Sequence, residues 1–324
     1  MKSKKIAILG GTGFVGRTLA NHLTQKGYEL RVLTRNREKN RFDMILLPAL
    51  ELVETNIHDI NQLEKSLAGC DMVINLVGIL NERGRKGRGF EIVHVELTRT
   101  ILAACKKNNI RRLLHMSALN ADVNAPSYYL RTKGLAEQLI KESSDDGIKA
   151  TIFRPSVIFG HDDSFLNRFA VLLRMTPLIF PLACPHARFC PVYVEDVAMA
   201  LCNAINNPVT YGNSYDLCGP DNYSLIELVS YVAEVTRKKR MILPLSDWLS
   251  RVQAAVFDFV PGKPFSTDNY LSTKIDSVCS HNDLPLLGIT PAPITSVAPS
   301  YLAGRTQRAN YYRYRSDVHR THAG

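Results

Sequence analysis

The residues Ile6-Ala7-Ile8-Leu9 run directly into Gly10-Gly11-Thr12-Gly13-Phe14-Val15-Gly16, and Leu19 and Leu23 then recur at helical spacing before Lys26. Few folds accommodate such a junction. A short apolar strand must end, the backbone must turn where side chains are not tolerated, and a helix must begin at once. Glycine permits the sharp turn and a close approach of the backbone, while the first helical turn presents unbonded N–H groups and a partial positive charge. Together these make a seat for a diphosphate. Glycine-rich turns serve many loops, so the flanking strand and helix, predicted over residues 6–9 and 15–26, are what give the motif its meaning. Gly10, Thr12, Gly13, Phe14, Val15 and Gly16 are the residues expected to contact a dinucleotide there.

The alternation continues along the chain. Short apolar runs predict strands over 30–34, 50–54, 72–76, 113–117 and 150–153, and amphipathic stretches predict helices over 60–67, 92–107 and 128–143. Strands this short and this apolar are those of a sheet covered by helices on both faces. Repeated βαβ units of this kind define an α/β fold with a Rossmann-type doubly wound parallel sheet. After Arg154-Pro155 the pattern becomes irregular, with prolines at 177, 181, 185 and 191. A strand and helix follow over 191–205, then a helix near 225–236, an apolar stretch over 242–260 and a proline-rich run over 285–299. The expected organisation is a dinucleotide-binding domain over 1–155, resumed at 190–216, and a smaller C-terminal substrate lobe from 156–189 and 217–304, with a basic aromatic tail over 305–324. Open α/β sheets place their ligands at the strand ends that such a lobe would cover. The apolar residues around Trp248, Leu249, Val252, Val256 and Phe257 are expected to form that lobe's core, with a lipid pocket as the alternative.

No stretch of the 324 residues approaches the roughly 20 uninterrupted apolar residues of a membrane span. The start, Lys2-Ser3-Lys4-Lys5, is followed by four apolar residues before glycine, which fits a first strand better than a secretion signal. The seven cysteines are odd in number and scattered, with no Cys-x-x-Cys. Neither a disulfide framework nor a zinc site is therefore expected, and reduced thiols in a cytoplasmic location are the simplest account. Cys184, His186 and Cys190 match no common ligand spacing, so no metal is expected. The net charge of +10 points to anionic partners. Part of it lies in the tail, where Arg305, Arg308, Arg313, Arg315 and Arg320 face only Asp317 among Tyr311, Tyr312 and Tyr314. Nothing upstream reads as a nucleic-acid module, so the tail is read as a solvated or docking segment for an acidic partner or anionic lipid at the inner face of a membrane.

Past the second strand, an NAD-preferring Rossmann protein would carry an acidic residue for the ribose hydroxyls. This chain has Thr34-Arg35-Asn36-Arg37. A carboxylate there would repel a 2′-phosphate, whereas Arg35 can form a bidentate, charge-assisted contact with it, so NADP(H) is favoured over NAD(H). A solvated turn is the alternative. Asn56 and Ile57 after the third strand, and Leu76, Val77 and Gly78 after the fourth, lie where adenine and ribose contacts would be made, and are equally what ordinary strand ends carry.

Tyr129 and Lys133 are four apart and share one helix face. Among thirteen tyrosines such a pair means little alone. Its placement gives it weight, because it opens the helix after a strand ending in His115-Met116-Ser117. Tyrosine has an unperturbed pKa near ~10, so acid/base work near neutrality calls for a cationic neighbour such as Lys133 that favours the phenolate. Ser117 would bond the substrate oxygen, Tyr129 would give or take its proton, and hydride would pass at the adjacent carbon.

These residues resemble the extended and atypical short-chain dehydrogenase/reductases, the superfamily that also holds NAD-dependent epimerases and dehydratases. His115-Met116-Ser117-Ala118-Leu119-Asn120-Ala121, Tyr129-Leu130-Arg131-Thr132-Lys133, Phe159-Gly160-His161-Asp162-Asp163-Ser164-Phe165-Leu166-Asn167 and Pro191-Val192-Tyr193-Val194-Glu195-Asp196-Val197 are similar to the branch containing the nucleotide-binding accessory subunit of respiratory complex I and its bacterial relatives. The resemblance implies bound NADP(H), with Pro155 and Ser156 near the nicotinamide. Dehydratase relatives follow their serine or threonine with Asp-Glu, where this chain has Ala118-Leu119, so sugar-nucleotide dehydration is not expected. Two functions follow as expectations. One is an NADP(H)-dependent oxidoreductase acting on a carbonyl or alcohol, with an apolar or quinone-pathway substrate. The other is a non-catalytic, cofactor-stabilised accessory subunit of a membrane respiratory assembly.

Overall fold

In the computed structural model, which describes residues 4–44, 47 and 49–303, seven strands form one parallel sheet. Their spatial order is Ser214–Leu217, Lys149–Pro155, Arg112–Met116, Met72–Asn75, Lys5–Leu9, Glu29–Thr34 and Leu50–Glu54. The chain builds outward from Lys5–Leu9 in one direction, then returns to place Met72–Asn75 on its other side. At this reversal the connecting segments diverge, which leaves a crevice beyond the carboxyl ends of the two central strands. The glycine loop and the Leu76 to Gly78 segment form its walls.

Alternation along each strand feeds two separate cores. Ile6, Ile8, Leu30, Val32, Met72 and Ile74 pack on one side with Leu19 and Leu23 of the Phe14–Gln25 helix and with the Val194–Ala204 helix. Ala7, Leu9, Leu33, Val73 and Leu113 pack on the other with the Ile60–Leu67 and Leu97–Lys107 helices. Because both faces are buried, most positions of both sets are apolar, which explains the short, nearly continuous apolar runs. Helix starts follow local capping chemistry. The Asp59 carboxylate accepts the Asn61 and Gln62 amides at 2.9 and 3.3 Å, and the Ser127 hydroxyl accepts the Leu130 amide at 3.2 Å.

A third hydrophobic cluster gathers Phe159, Leu166, Leu173 and Phe180 with Leu225, Leu228, Val232 and Ile294, forming a smaller lobe beside the sheet. Three expectations are corrected. The Asp247–Phe257 helix is no lobe core, since it buries only Ser250 and Ala254 while Trp248, Leu249, Val252 and Val256 stand exposed. Its small residues, not its large ones, face the protein. Cys218 and Cys279, 61 residues apart, are joined by a disulfide rather than reduced. Their proximity follows from tertiary contacts that spacing does not reveal: the Asp283 amide donates to the Asp216 carbonyl at 2.9 Å, and the Asn282 side chain brackets Cys218. The helix read as continuous over 92–107 instead begins at Arg88–Phe90 and passes through a π-helical turn, Glu91–Glu96. The expected tail over 305–324 lies outside the described residues.

Glu137, 2% exposed, receives both Nε and Nη2 of Arg154, and so links the Tyr128–Glu142 helix to the Lys149–Pro155 strand. Arg154→Met would strand that carboxylate, and is expected to cost about 3–5 kcal/mol of unfolding free energy at neutral pH. Urea denaturation checks this, with the Arg154→Met/Glu137→Leu double variant expected to recover most of the loss.

Candidate active site

The Phe14–Gln25 helix starts at Gly13 with no side-chain cap and no acidic residue in its first turn. Its leading amides, those of Phe14, Val15 and Gly16, are therefore open to an anion from outside the protein. The turn that delivers them tolerates no side chains. Gly10 has φ +78°, and a β-carbon there would lie 3.0 Å from the Leu76 carbonyl carbon. One on Gly16 would lie 2.4 Å from the Gly10 carbonyl oxygen, and one on Gly13 at 3.2 Å from the same atom. The Thr12 carbonyl accepts Arg17 Nη1 at 3.0 Å, and Arg17 also pairs with Asp162 at 2.8 Å. Phe14 reaches toward Gly160, where a β-carbon would come within 3.0 Å of its ring. The loop is thus fastened to the segment that opens the second lobe.

At the other strand ends the predicted residues differ in availability. The Thr34 hydroxyl accepts the Asn40 side-chain amide at 2.9 Å and is committed to its own turn. Arg35 is exposed, and no described residue pairs with its guanidinium. The nearby Glu54 carboxylate accepts the Arg37 amide at 2.8 Å. Asn56 turns its side-chain oxygen back to the His58 amide at 3.1 Å, with Ile57 half-buried beside it. Leu76 and Val77 are half-buried and Gly78 is exposed. Ser156 is engaged elsewhere: its hydroxyl donates to the Ser277 carbonyl at 2.7 Å and accepts the Cys190 amide, while the Pro155 carbonyl accepts the Leu119 amide at 3.0 Å.

Lys133 runs beneath the crevice, buried, with Nζ donating to the Met116 carbonyl at 2.8 Å. A β-carbon on Gly78 would lie 3.3 Å from that Nζ and 3.7 Å from His94 Nε2, so the fourth strand end, the lysine and this histidine meet. The Tyr129 ring packs edge-on against His94 and Phe90, with centroids 5.7 and 6.1 Å away. The Ser117 hydroxyl is buried and has no hydrogen-bond partner among the described residues. A buried hydroxyl normally finds one, so Ser117 is an exception to the usual pairing of buried polar groups.

Around these lies a polar shell that the sequence reading did not assign. Asn75 accepts the Val77 amide through Oδ1, which directs its Nδ2–H toward His115 Nδ1 at 3.1 Å. That leaves the proton on His115 Nε2, a second buried atom without a partner among the described residues. His94 accepts the Ile79 amide at Nε2, and its Nδ1 meets the Thr132 hydroxyl at 2.9 Å. Burial and the Lys133 charge hold both imidazoles neutral, His94 pushed down to about 2 and His115 well below its ordinary range. The signal for His94 was legible in principle, as a lone polar residue within Ile92-Val93-His94-Val95.

One electrostatic expectation is corrected. Burial, reinforced by the Asp268 carboxylate, pushes the Tyr129 phenol up to about 12. Asp268 is fixed there by the Tyr128 and Tyr129 amides at 2.7 and 3.2 Å. The phenol is therefore protonated near neutrality, and the Lys133 ammonium is turned to the Met116 carbonyl. Burial brings Lys133 itself down from 10.5 to about 8, opposed by Glu137. A base with a depressed folded pKa adds stability above its unfolded value that is lost as pH falls through the folded one. The unfolding free energy of the native protein relative to Lys133→Met should thus decline from pH 10.5 to pH 8 and level off below. Paired urea titrations measure the gap; one that stays constant across this window would mean that the ammonium is not desolvated.

The profile of the NAD dependent epimerase/dehydratase family matches residues 6–218, the span from the first strand to the last strand of the sheet. The chain is 31% identical over 295 residues to the rat (Rattus norvegicus) mitochondrial protein NADH dehydrogenase [ubiquinone] 1 alpha subcomplex subunit 9, covering 89% of this chain and 76% of that one. It is 27% identical over 242 residues to a ceramide reductase of Caulobacter vibrioides, covering 75% and 74% respectively. Among solved structures, a nucleoside-diphosphate-sugar epimerase from Staphylococcus aureus superposes with a TM-score of 0.72 at 19% identity, covering 92% of this chain and 99% of that one, a likeness of fold. The open glycine loop at the switch point and the profile that starts on it agree: the chain belongs to the NAD dependent epimerase/dehydratase family, in the branch of the respiratory complex I subunit and bacterial reductases.

Proposed function

We propose that this protein is an NADP(H)-dependent oxidoreductase that interconverts a carbonyl and an alcohol, with Ser117, Tyr129 and Lys133 as its reacting groups. The observation that carries the reading is the buried, unpartnered Ser117 hydroxyl, one residue beyond the Met116 carbonyl that holds the buried Lys133 ammonium, with the protonated Tyr129 one turn before Lys133 on the same helix. The fit to a dinucleotide rests on the side-chain-free cradle of Gly10, Gly13 and Gly16 and on the uncapped amides of Phe14, Val15 and Gly16. Thr12, Leu76, Val77 and Gly78 complete the walls, Asn56 and Ile57 lie at the adenine side, and Pro155 and Ser156 back the nicotinamide end. Preference for the 2′-phosphate rests on Arg35, an exposed guanidinium that no described carboxylate neutralises.

When bound, the cofactor supplies or accepts a hydride. Ser117 donates a hydrogen bond to the substrate oxygen. Tyr129, protonated, gives its proton to that oxygen as negative charge develops, which favours the reductive direction. Lys133, turned to the Met116 carbonyl, supplies the positive charge of the site and can hold the nicotinamide ribose. Neutral His94 and Thr132 keep the helix that carries Tyr129 in register, and add no competing charge. Similarity to a protein named for reducing ceramide supports an apolar ketone as substrate, taken up between the sheet and the smaller lobe.

A second reading is favoured by the long similarity to a respiratory complex I subunit: a cofactor-stabilised accessory protein of a membrane assembly, docked through the tail over 305–324. The two separate at Tyr129. For the oxidoreductase, Tyr129→Phe is expected to lower kcat for reduction of long-chain ketones about 10²–10⁴-fold while leaving the NADPH Kd unchanged. For the accessory protein it changes nothing, and co-purification with a membrane complex is the readout. Arg35→Glu is expected to weaken NADPH binding about 10–100-fold and leave NADH binding nearly untouched, measured by calorimetry.

A further inference from the structure

The smaller lobe carries an apolar surface that stands exposed among the described residues. Along the Asp247–Phe257 helix, Trp248, Val252 and Val256 recur at four-residue spacing on the side opposite the buried Ser250 and Ala254. Trp248 is 70% exposed, and Phe259 just beyond the helix is 74% exposed with the Arg85 guanidinium over its ring at 3.6 Å. Immediately before the helix, strand Met241–Pro244 pairs in parallel with Ile179–Leu182. The register sets Met241 beside Ile179 and Leu243 beside Pro181, and these face outward while Phe180 and Leu182 face the lobe core. The Gln253 side chain reaches the Pro181 carbonyl at 3.4 Å and ties helix to strand pair, so the exposed apolar residues lie on two adjoining elements. Isolated exposed apolar residues need no explanation, but a contiguous face of this kind marks an interaction site.

Charge selects the occupant. Arg237, Lys238, Lys239 and Arg240 lead directly into the Met241–Pro244 strand, and Arg174 and Arg251 stand exposed at the rim. The acidic groups nearby are already matched: Asp247 pairs with Lys274 and accepts the Tyr270 hydroxyl, and Asp258 accepts the Thr267 hydroxyl at 2.7 Å. An apolar face that includes a tryptophan and is bordered by the exposed cations Arg174, Arg237, Lys239 and Arg251 is complementary to the headgroup layer of an anionic bilayer, where indole sits at the boundary and lysine or arginine reaches phosphate. We propose that this lobe docks on anionic membrane surfaces, with the Asp247–Phe257 helix lying flat in the interface. The inference is independent of the tail and of the reaction proposed above.

Trp248 is the chain's single tryptophan, so its emission reports on this face alone. The full-length protein is mixed with vesicles of phosphatidylcholine, or of phosphatidylcholine with roughly one-third phosphatidylglycerol. With the anionic vesicles a blue shift of Trp248 emission and quenching by acyl-chain bromines are expected, with weak binding to the neutral ones. Val252→Ser/Val256→Ser should reduce partitioning at least about tenfold, and Lys239→Glu/Arg251→Glu about fivefold per residue in low salt. These positions are exposed, and nucleotide binding serves as the check that the variants fold. Vesicle binding with an unshifted, unquenched Trp248 would overturn the proposal and assign docking to another surface. A blue shift that depends on protein concentration without lipid would overturn it in favour of self-association.

Discussion

Where the Lys5–Leu9 strand ends, the Gly10 carbonyl and the Gly16 Cα approach so closely that no side chain fits between them. This contact fixes where the first helix begins and the direction in which its unbonded amides point. It also lies at the reversal of strand order, the one place in an open parallel sheet where neighbouring connections leave in opposite directions. Everything proposed for the site takes its position from there. Phe14 and Arg17 carry the constraint outward to Gly160 and Asp162, and the Leu76 to Gly78 segment carries it across to Lys133. A change at this crossing would move the anion seat and the reacting groups together.

The buried site has an economical electrostatic design. Its histidines are neutral, its tyrosine is protonated, and Lys133 carries the local charge. The depressed affinity of that lysine for its proton measures how strongly the surroundings resist charge, and a negative group arriving nearby would relieve that resistance.

The central fold was legible because of a double constraint: strands covered on both faces are apolar at most positions, and their linking helices must be apolar on one stripe. The predicted strand over 50–54 coincides with Leu50–Glu54, and the helix over 60–67 with Ile60–Leu67. The short Arg37–Met44 helix escaped because its charged sequence carries no apolar stripe. Tyr129, Lys133 and Ser117 could be picked out by type and spacing, whereas Asp268 and Asn75 could not, since their part depends on contacts from distant segments. The Trp248 segment misled for a definite reason. Apolar periodicity reports that a face must be covered, and is silent on whether the cover is the protein itself. The Cys218–Cys279 pair was invisible because its partners meet only through the path of the Asn282 and Asp283 loop.

That cross-link has a topological consequence. It staples the last strand of the sheet to the segment beyond the Thr267–Ser272 helix, so the stretch between cysteines 61 positions apart, which includes the whole Trp248 helix, is closed into a covalent ring. A peptide-bond break anywhere inside the ring leaves both fragments attached, and a pull on the apolar face is delivered to the sheet edge at Leu217 through sulfur rather than through side-chain packing. Once a thiol reductant opens that tether, the segment is held to the sheet by hydrogen bonds alone, those of Asn282 and Asp283 at one end and of Ser277 with Ser156 and Cys190 at the other.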